Sequence, residues 1–163
     1  MKTLYFTGYF GYSFASKLIK FWTRSPISHV EECINLDTLE GYGAWSGRKV
    51  GKLTPDIHKP ETPYVIFATN VTDKQYMLFK QFKRSQQGKS YDWPGIMGFI
   101  YNKDNNDPNK WFCSEIESAA CKYANIQILN WDLINPSLVS PGLFCSSSVL
   151  VSIKKGKTDK KIK

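Results

Sequence analysis

Phe14, Leu18, Phe21 and Trp22 recur at helical spacing within SFASKLIKFWTR (13–24). That spacing predicts an amphipathic helix ending before Ser25-Pro26, because the residue ahead of a proline avoids helical backbone. ISHVEECINL (27–36) alternates and begins β-branched, so it predicts a strand; Asp37-Thr38 supplies a turn, and GYGAWSGRKVGKL (41–53) a glycine-rich return strand. TPDIHKPETP then makes a loop with three prolines, and YVIFATN (64–70) a short strand of the buried type. In TDKQYMLFKQFKRSQQG, Thr72-Asp73 caps a helix whose face carries Leu78, Phe79 and Phe82 and which closes at Gly88. YDWPGIMGFIYN (91–102) predicts a second short helix with Pro94 near its first turn, followed by a loop over 102–110. A further helix runs from Ser114 to about Ala124 on Ile116, Ala119, Ala120 and Tyr123, and NPSLVSPGLFCSSSVLVSI gives turns, a helical piece and a closing strand.

This order predicts an α+β domain, helices packed on one antiparallel sheet, over residues 1–153. There are no internal repeats, and residues 154–163 read as a lysine-rich flexible tail.

Charge changes this picture little. The chain of 163 residues carries a net +8, but the final ten, KKGKTDKKIK, hold six lysines and one aspartate, +6 − 1 = +5. The body is then only about +3, too little to mark a specific nucleic-acid binder, while the tail suits weak contact with anionic surfaces. No apolar run approaches the roughly 18 residues that span a bilayer, and Gly, Tyr and Ser interrupt the start of the chain. A transmembrane segment and a signal peptide are therefore not expected, and a reducing cytoplasm is.

Four cysteines at positions 33, 113, 121 and 145 do not suggest a disulfide scaffold in a chain of this length. Nor do they suggest zinc: CxxC is absent and only His29 and His58 are available, so no metal and no cofactor is expected. Cys33, Cys121 and Cys145 lie in apolar settings and read as small buried hydrophobes. Cys113, in WFCSE at the mouth of the 114–124 helix, is different: a helix N-terminus and a nearby imidazole both favour thiolate.

A base for that thiol must be held in place. His29 begins a strand, whereas His58 sits in the proline-bracketed loop and is expected to be mobile and exposed. Glu31 shares a strand face with His29 and could orient the ring; with the turn at 37–38 it pairs around Gly43-Ala44, whose small side chains leave room for a buried carboxylate. Glu40 and Ser46 are alternative orienting residues. Tyr91, in GKSYDWPG (88–95), is a candidate oxyanion donor beside the Cys113 N–H, or else one of an aromatic pair with Trp93 packed in the core.

SHVEE (28–32), GKSYDWPGIMGF (88–99) and WFCSE (111–115) together resemble the circularly permuted NlpC/P60 superfamily of papain-like cysteine hydrolases, nearest the YiiX/YebB-like proteins and short phage-encoded relatives. The histidine hairpin precedes the cysteine helix, as in the permuted arrangement, and the resemblance covers about residues 25–150. It implies a papain-like core, an antiparallel sheet or small barrel packed against helices, with Cys113 as nucleophile, His29 as general base and Tyr91 as the site tyrosine. Where many members place the third polar residue on the return strand, this chain has Gly43 and Ala44, which leaves Glu31 in that role.

The function so implied is hydrolysis of an amide (peptide, or an amidated or acylated small molecule) without a cofactor. Its rivals are an inactive binding or inhibitory protein of the same fold in phage–host interaction, and an acyltransferase or thioesterase on a lipid-like substrate. A phage-encoded member would work in the host cytoplasm. The aromatic segment Tyr5, Phe6, Tyr9, Phe10, Tyr12 and Phe14 is either core or the lining of an apolar groove for lipid or peptide.

Overall fold

A computed structural model describes residues 1–96, 107 and 109–159. The strands are β1 (Lys2–Tyr9), β2 (His29–Asn35), β3 (Glu40–Gly43), β4 (Gly51–Leu53), β5 (Pro63–Val71), β6 (Ser90–Tyr91), β7 (Lys110–Trp111) and β8 (Val151–Lys157). The helices are α1 (Phe14–Thr23), α2 (Asp73–Ser85), α3 (Cys113–Tyr123) and α4 (Pro141–Cys145), with 3-10 turns at Pro55–Ile57 and Pro136–Leu138. Six strands form one sheet in the order β4-β3-β2-β1-β5-β8, every neighbour antiparallel. Strands β6 and β7 make a separate parallel pair. The architecture is the expected α+β sheet packed against helices.

The central strand is β1, which the sequence reading passed over. KTLYFTGY alternates with period two: Leu4, Phe6 and Gly8 face the helices, and Tyr5, Thr7 and Tyr9 the other side. Phe6 sits at the centre of the main core, edge-on to Phe79 of α2 (5.9 Å between centroids) and Phe144 of α4 (5.0 Å). Val30, Val65, Phe67, Ala120, Cys121 and Cys145 complete the packing around it. On the opposite face Tyr9, Leu39, Tyr64 and Ile66 form a smaller buried cluster.

Helix α2 starts with a reciprocal cap, Thr72 Oγ1 accepting from Gln75 N–H at 3.2 Å and Gln75 Oε1 accepting from Thr72 N–H at 3.0 Å. Past its end, Gly88 takes φ +84°, open to glycine at little cost. Between α2 and α3 a fully buried Lys83–Glu117 ion pair is anchored by Lys83 donating to Tyr42 O at 2.9 Å.

Two expectations change. The return strand is two strands, because the segment at 44–50 leaves the sheet before β4 pairs back on β3. The lysine-rich end is not free from residue 154: Lys154 to Lys157 continue β8, whose ladder on β5 pairs Pro63 with Lys157, while the lysine side chains stay exposed. Thr158 is buried and its hydroxyl donates to Lys59 O at 2.9 Å, so the boundary at 153 cuts through a strand. Residues 160–163 of that tail, and most of the helix expected over 91–102 and the loop over 102–110, lie outside the described residues; residues 93–96 are helical.

Candidate active site

Cys113 is the first residue of α3. Phe112 ahead of it is extended (φ −102°, ψ 169°), and its N–H is accepted by Glu115 Oε2 at 3.3 Å. Ser114 ties the same turn to the following segment by donating to Val139 O at 2.6 Å. The short β6–β7 pair delivers Tyr91: Tyr91 sits opposite Trp111, and Asp92 N–H donates to Trp111 O at 3.0 Å. Phe112 alone therefore separates the partner of Tyr91 from Cys113. The Tyr91 ring also lies 5.5 Å from that of Trp93, edge to face.

His29 is the first residue of β2, opposite Tyr9 of β1. Its Nε2 lies 3.0 Å from Glu31 Oε2, two residues along the same strand face, and both side chains are buried. Its ring also interacts with the Cys113 side chain. Burial alone would lower the His29 pKa; charge on Cys113, then the hydrogen bonds to Cys113 and Glu31, outweigh it and push His29 up to about 10. Cys113, His29 and Glu31 thus form one connected line. The charge on Cys113 also reaches Tyr91, whose hydroxyl is pushed up first by burial and then by Cys113 and Asp92.

Glu31 owes its place to glycine. The register runs Glu32 opposite Tyr42 and Cys33 opposite Gly41, and a Cβ on Gly41 would collide with the Glu31 carboxylate. A Cβ on Gly43 would meet Glu31 Cβ at 3.3 Å. The Tyr9 hydroxyl donates to Glu31 Oε1 at 3.5 Å and is itself pushed above its ordinary range by burial and by Glu31. Of the alternative orienting residues, Glu40 pairs with Lys52 at 2.9 Å, and Ser46 lines the cleft together with His29.

That cleft is narrow, about 60 Å³, and is walled by Ser13, which caps α1, and Ser16 within it, with His29, Trp45, Tyr91 and Trp93. Cys113 is not among the lining residues and is only 2 % exposed. The aromatic N-terminal segment divides: Phe6 and Tyr9 are buried in the sheet, whereas Tyr12 and Phe14 stand exposed at the start of α1.

His58 departs from expectation. The loop that carries it folds back on the sheet, where its ring stacks on Tyr9 at 3.6 Å and meets Trp45 edge-on at 4.7 Å, so it is buried rather than exposed. Burial, with the His29 charge, drives its pKa down to about 2 and keeps it neutral. Its Nε2 is buried without a hydrogen-bond partner. Among the described residues, donor atoms of His29, Glu31 and His58 lie within 4.8 Å of one another, a constellation able to hold a cation. The expectation of no metal rests on local spacing, and the 28 residues between His29 and His58 hide this grouping from any local motif. Tyr9, Gly41 and Trp45 were missed for the same reason, though the alternation in KTLYFTGY could have placed Tyr9 on the His29 side of the sheet.

No protein-family model and no curated protein sequence matches this chain. Among solved structures it is similar to the crystal structure of metalloprotein yiiX from Escherichia coli O157:H7, DUF1105. The TM-score is 0.67 at 17 % identity, over 94 % of this chain and 97 % of that one, a likeness of fold. No helix among the described residues is long and apolar enough to cross a membrane.

Proposed function

We propose that the chain is a cysteine hydrolase of the permuted NlpC/P60 type acting on an amide, with Cys113 as nucleophile, His29 as base and Glu31 as its orienting carboxylate. The observation that carries this is the buried line from Cys113 through His29 to Glu31, with 3.0 Å between His29 Nε2 and Glu31 Oε2. Glu31 on Nε2 leaves Nδ1 for the thiol, so the ring can take the Cys113 proton while keeping one proton toward the carboxylate. The thiolate attacks the carbonyl carbon; the first-turn N–H of Cys113 and the Tyr91 hydroxyl donate hydrogen bonds to the developing oxyanion. His29 returns its Nδ1 proton to the leaving amine, giving the thioester, then draws a proton from the water that hydrolyses it. An acyltransferase would share the first half of this sequence and differ only in its acceptor. The fold shared with yiiX agrees with this reading, and relatedness to phage-encoded members and action in a cytoplasm are parts of the same proposal.

The metalloprotein nature of yiiX brings a cation into view. In this chain the donors that fit one are His29, Glu31 and His58, the last with an unpartnered buried nitrogen. A cation held there supplies Lewis acidity, and no step above passes through it.

The deciding experiment is the pH dependence of Cys113 alkylation by iodoacetamide in the metal-free wild type and in His29→Ala. An ion-paired thiolate gives a rate that is flat from about pH 6 to 9, whereas an ordinary thiol of pKa about 8.5 gains roughly tenfold per unit below it. His29→Ala should restore the steep rise. A steep profile in the wild type overturns the hydrolase reading and leaves a binding protein of this fold.

A further inference from the structure

We propose that His29, Glu31 and His58 form a site for one divalent cation of the zinc type, set on the side of His29 away from Cys113. The hydrolase reading uses His29 and Glu31 and leaves His58 without a task. Yet His58 is held with care: its ring is stacked on Tyr9, closed off by Trp45, and only 7 % exposed. Burying a ring nitrogen with no partner is unfavourable, and a ligand on that nitrogen would remove the cost.

The donors are two imidazoles and one carboxylate with their atoms within 4.8 Å of one another. Nitrogen and oxygen donors of this kind suit Zn²⁺ and its neighbours better than Ca²⁺ or Mg²⁺, which prefer oxygen alone. Three protein donors leave a fourth position open for water or another ligand. A supporting contact is present: Tyr9 donates to Glu31 Oε1. Two of the donors are fixed by adjacent positions on the β2 face, and Gly41 clears space for the carboxylate. Access need not pass the narrow cleft. His58 also lines a separate cavity of about 410 Å³, together with Asp37 and Asp56.

The site shares two residues with the proposed relay, and that sharing has a consequence that rests on the hydrolase reading. A cation needs the Nε2 lone pair, whereas the relay keeps a proton there facing Glu31, so the two arrangements exclude each other.

The test is isothermal titration of the EDTA-treated, full-length chain with Zn²⁺, beside the visible absorption of the Co²⁺-loaded protein. Wild type should bind one ion per chain. His58→Phe, which keeps the ring stack on Tyr9, should weaken binding at least 100-fold, and Cys113→Ser should change it less than about threefold. The Co²⁺ spectrum should lack a thiolate charge-transfer band, a readout in wild type that does not depend on how any variant folds. No binding in wild type, equal binding in His58→Phe, loss of binding in Cys113→Ser, or a thiolate band would each overturn the site. None of these readings bears on alkylation of metal-free Cys113, so the two proposals fail separately.

Discussion

Gly41 faces the Glu31 carboxylate so closely that no side chain fits between them. The two residues lie on neighbouring strands, and the backbone of β3 acts as the wall that turns Glu31 toward His29. Gly41→Ala is therefore expected to push the flexible carboxylate aside rather than move the sheet. The stability cost should be modest, about 1–3 kcal/mol for an overpacked core position. The Cys113 alkylation profile should steepen toward that of an ordinary thiol. Gly41→Ala with an unchanged profile would show that Glu31 does not govern His29.

The four cysteines should separate sharply by reactivity. Burial pushes the Cys145 thiol far up, with the Cys113 charge adding to it; burial does the same to Cys121, and to Cys33 less strongly. Peptide mapping after brief iodoacetamide treatment at neutral pH should find label on Cys113 alone. Because Cys113 is only 2 % exposed, a bulky maleimide should label it far more slowly than iodoacetamide does. Equal labelling of Cys113 and Cys145 in the folded protein would contradict the ion pair, since Cys113 is no more exposed than Cys145.

Much of this layout was legible in the sequence where the chemistry is local. The Ser114–Ala124 periodicity found α3 to within a residue of its start, and Thr72 with Gln75 three residues later is a capping pair that fixes α2. His29 and Glu31 share a face because strands alternate, which needs no tertiary information. What the sequence hid depends on distant pairing. Nothing near His58 says that its loop folds onto Tyr9, and nothing near Lys154 says that a lysine-rich segment completes a sheet edge. Exposed lysines on an edge strand also protect it from pairing with other chains, so the same residues that suggested a free tail suit a strand at the border.

Tyr91 can be tested apart from the base. If its hydroxyl stabilises the oxyanion, Tyr91→Phe should slow acylation by a chromogenic ester by roughly 100-fold with little change in KM. The alkylation profile of Cys113 should keep its flat form, since no oxyanion develops in that reaction. A variant that acylates at the wild-type rate would assign Tyr91 to packing against Trp93 instead.

The buried Lys83–Glu117 pair sets a pH dependence of stability that opposes the usual carboxylate behaviour. Burial lifts the Glu117 pKa from its ordinary 4.5 to about 7, against the pull of Lys83. Between those values the folded state binds more protons at Glu117 than the unfolded chain does, so its contribution to stability is full below pH 4.5 and is lost as pH rises through 7. A shift of that size corresponds to about 3 kcal/mol across the window. Glu117→Gln keeps the shape and removes the titration. Urea unfolding of wild type and Glu117→Gln between about pH 4.5 and 7.5 isolates the effect, because the other titrating groups, His58 among them, are common to both. Stability of wild type relative to the variant should fall as pH rises through the window. A difference that stays constant, or that rises with pH, would mean that Lys83 holds Glu117 ionised throughout and that the pair is an ordinary buried salt bridge.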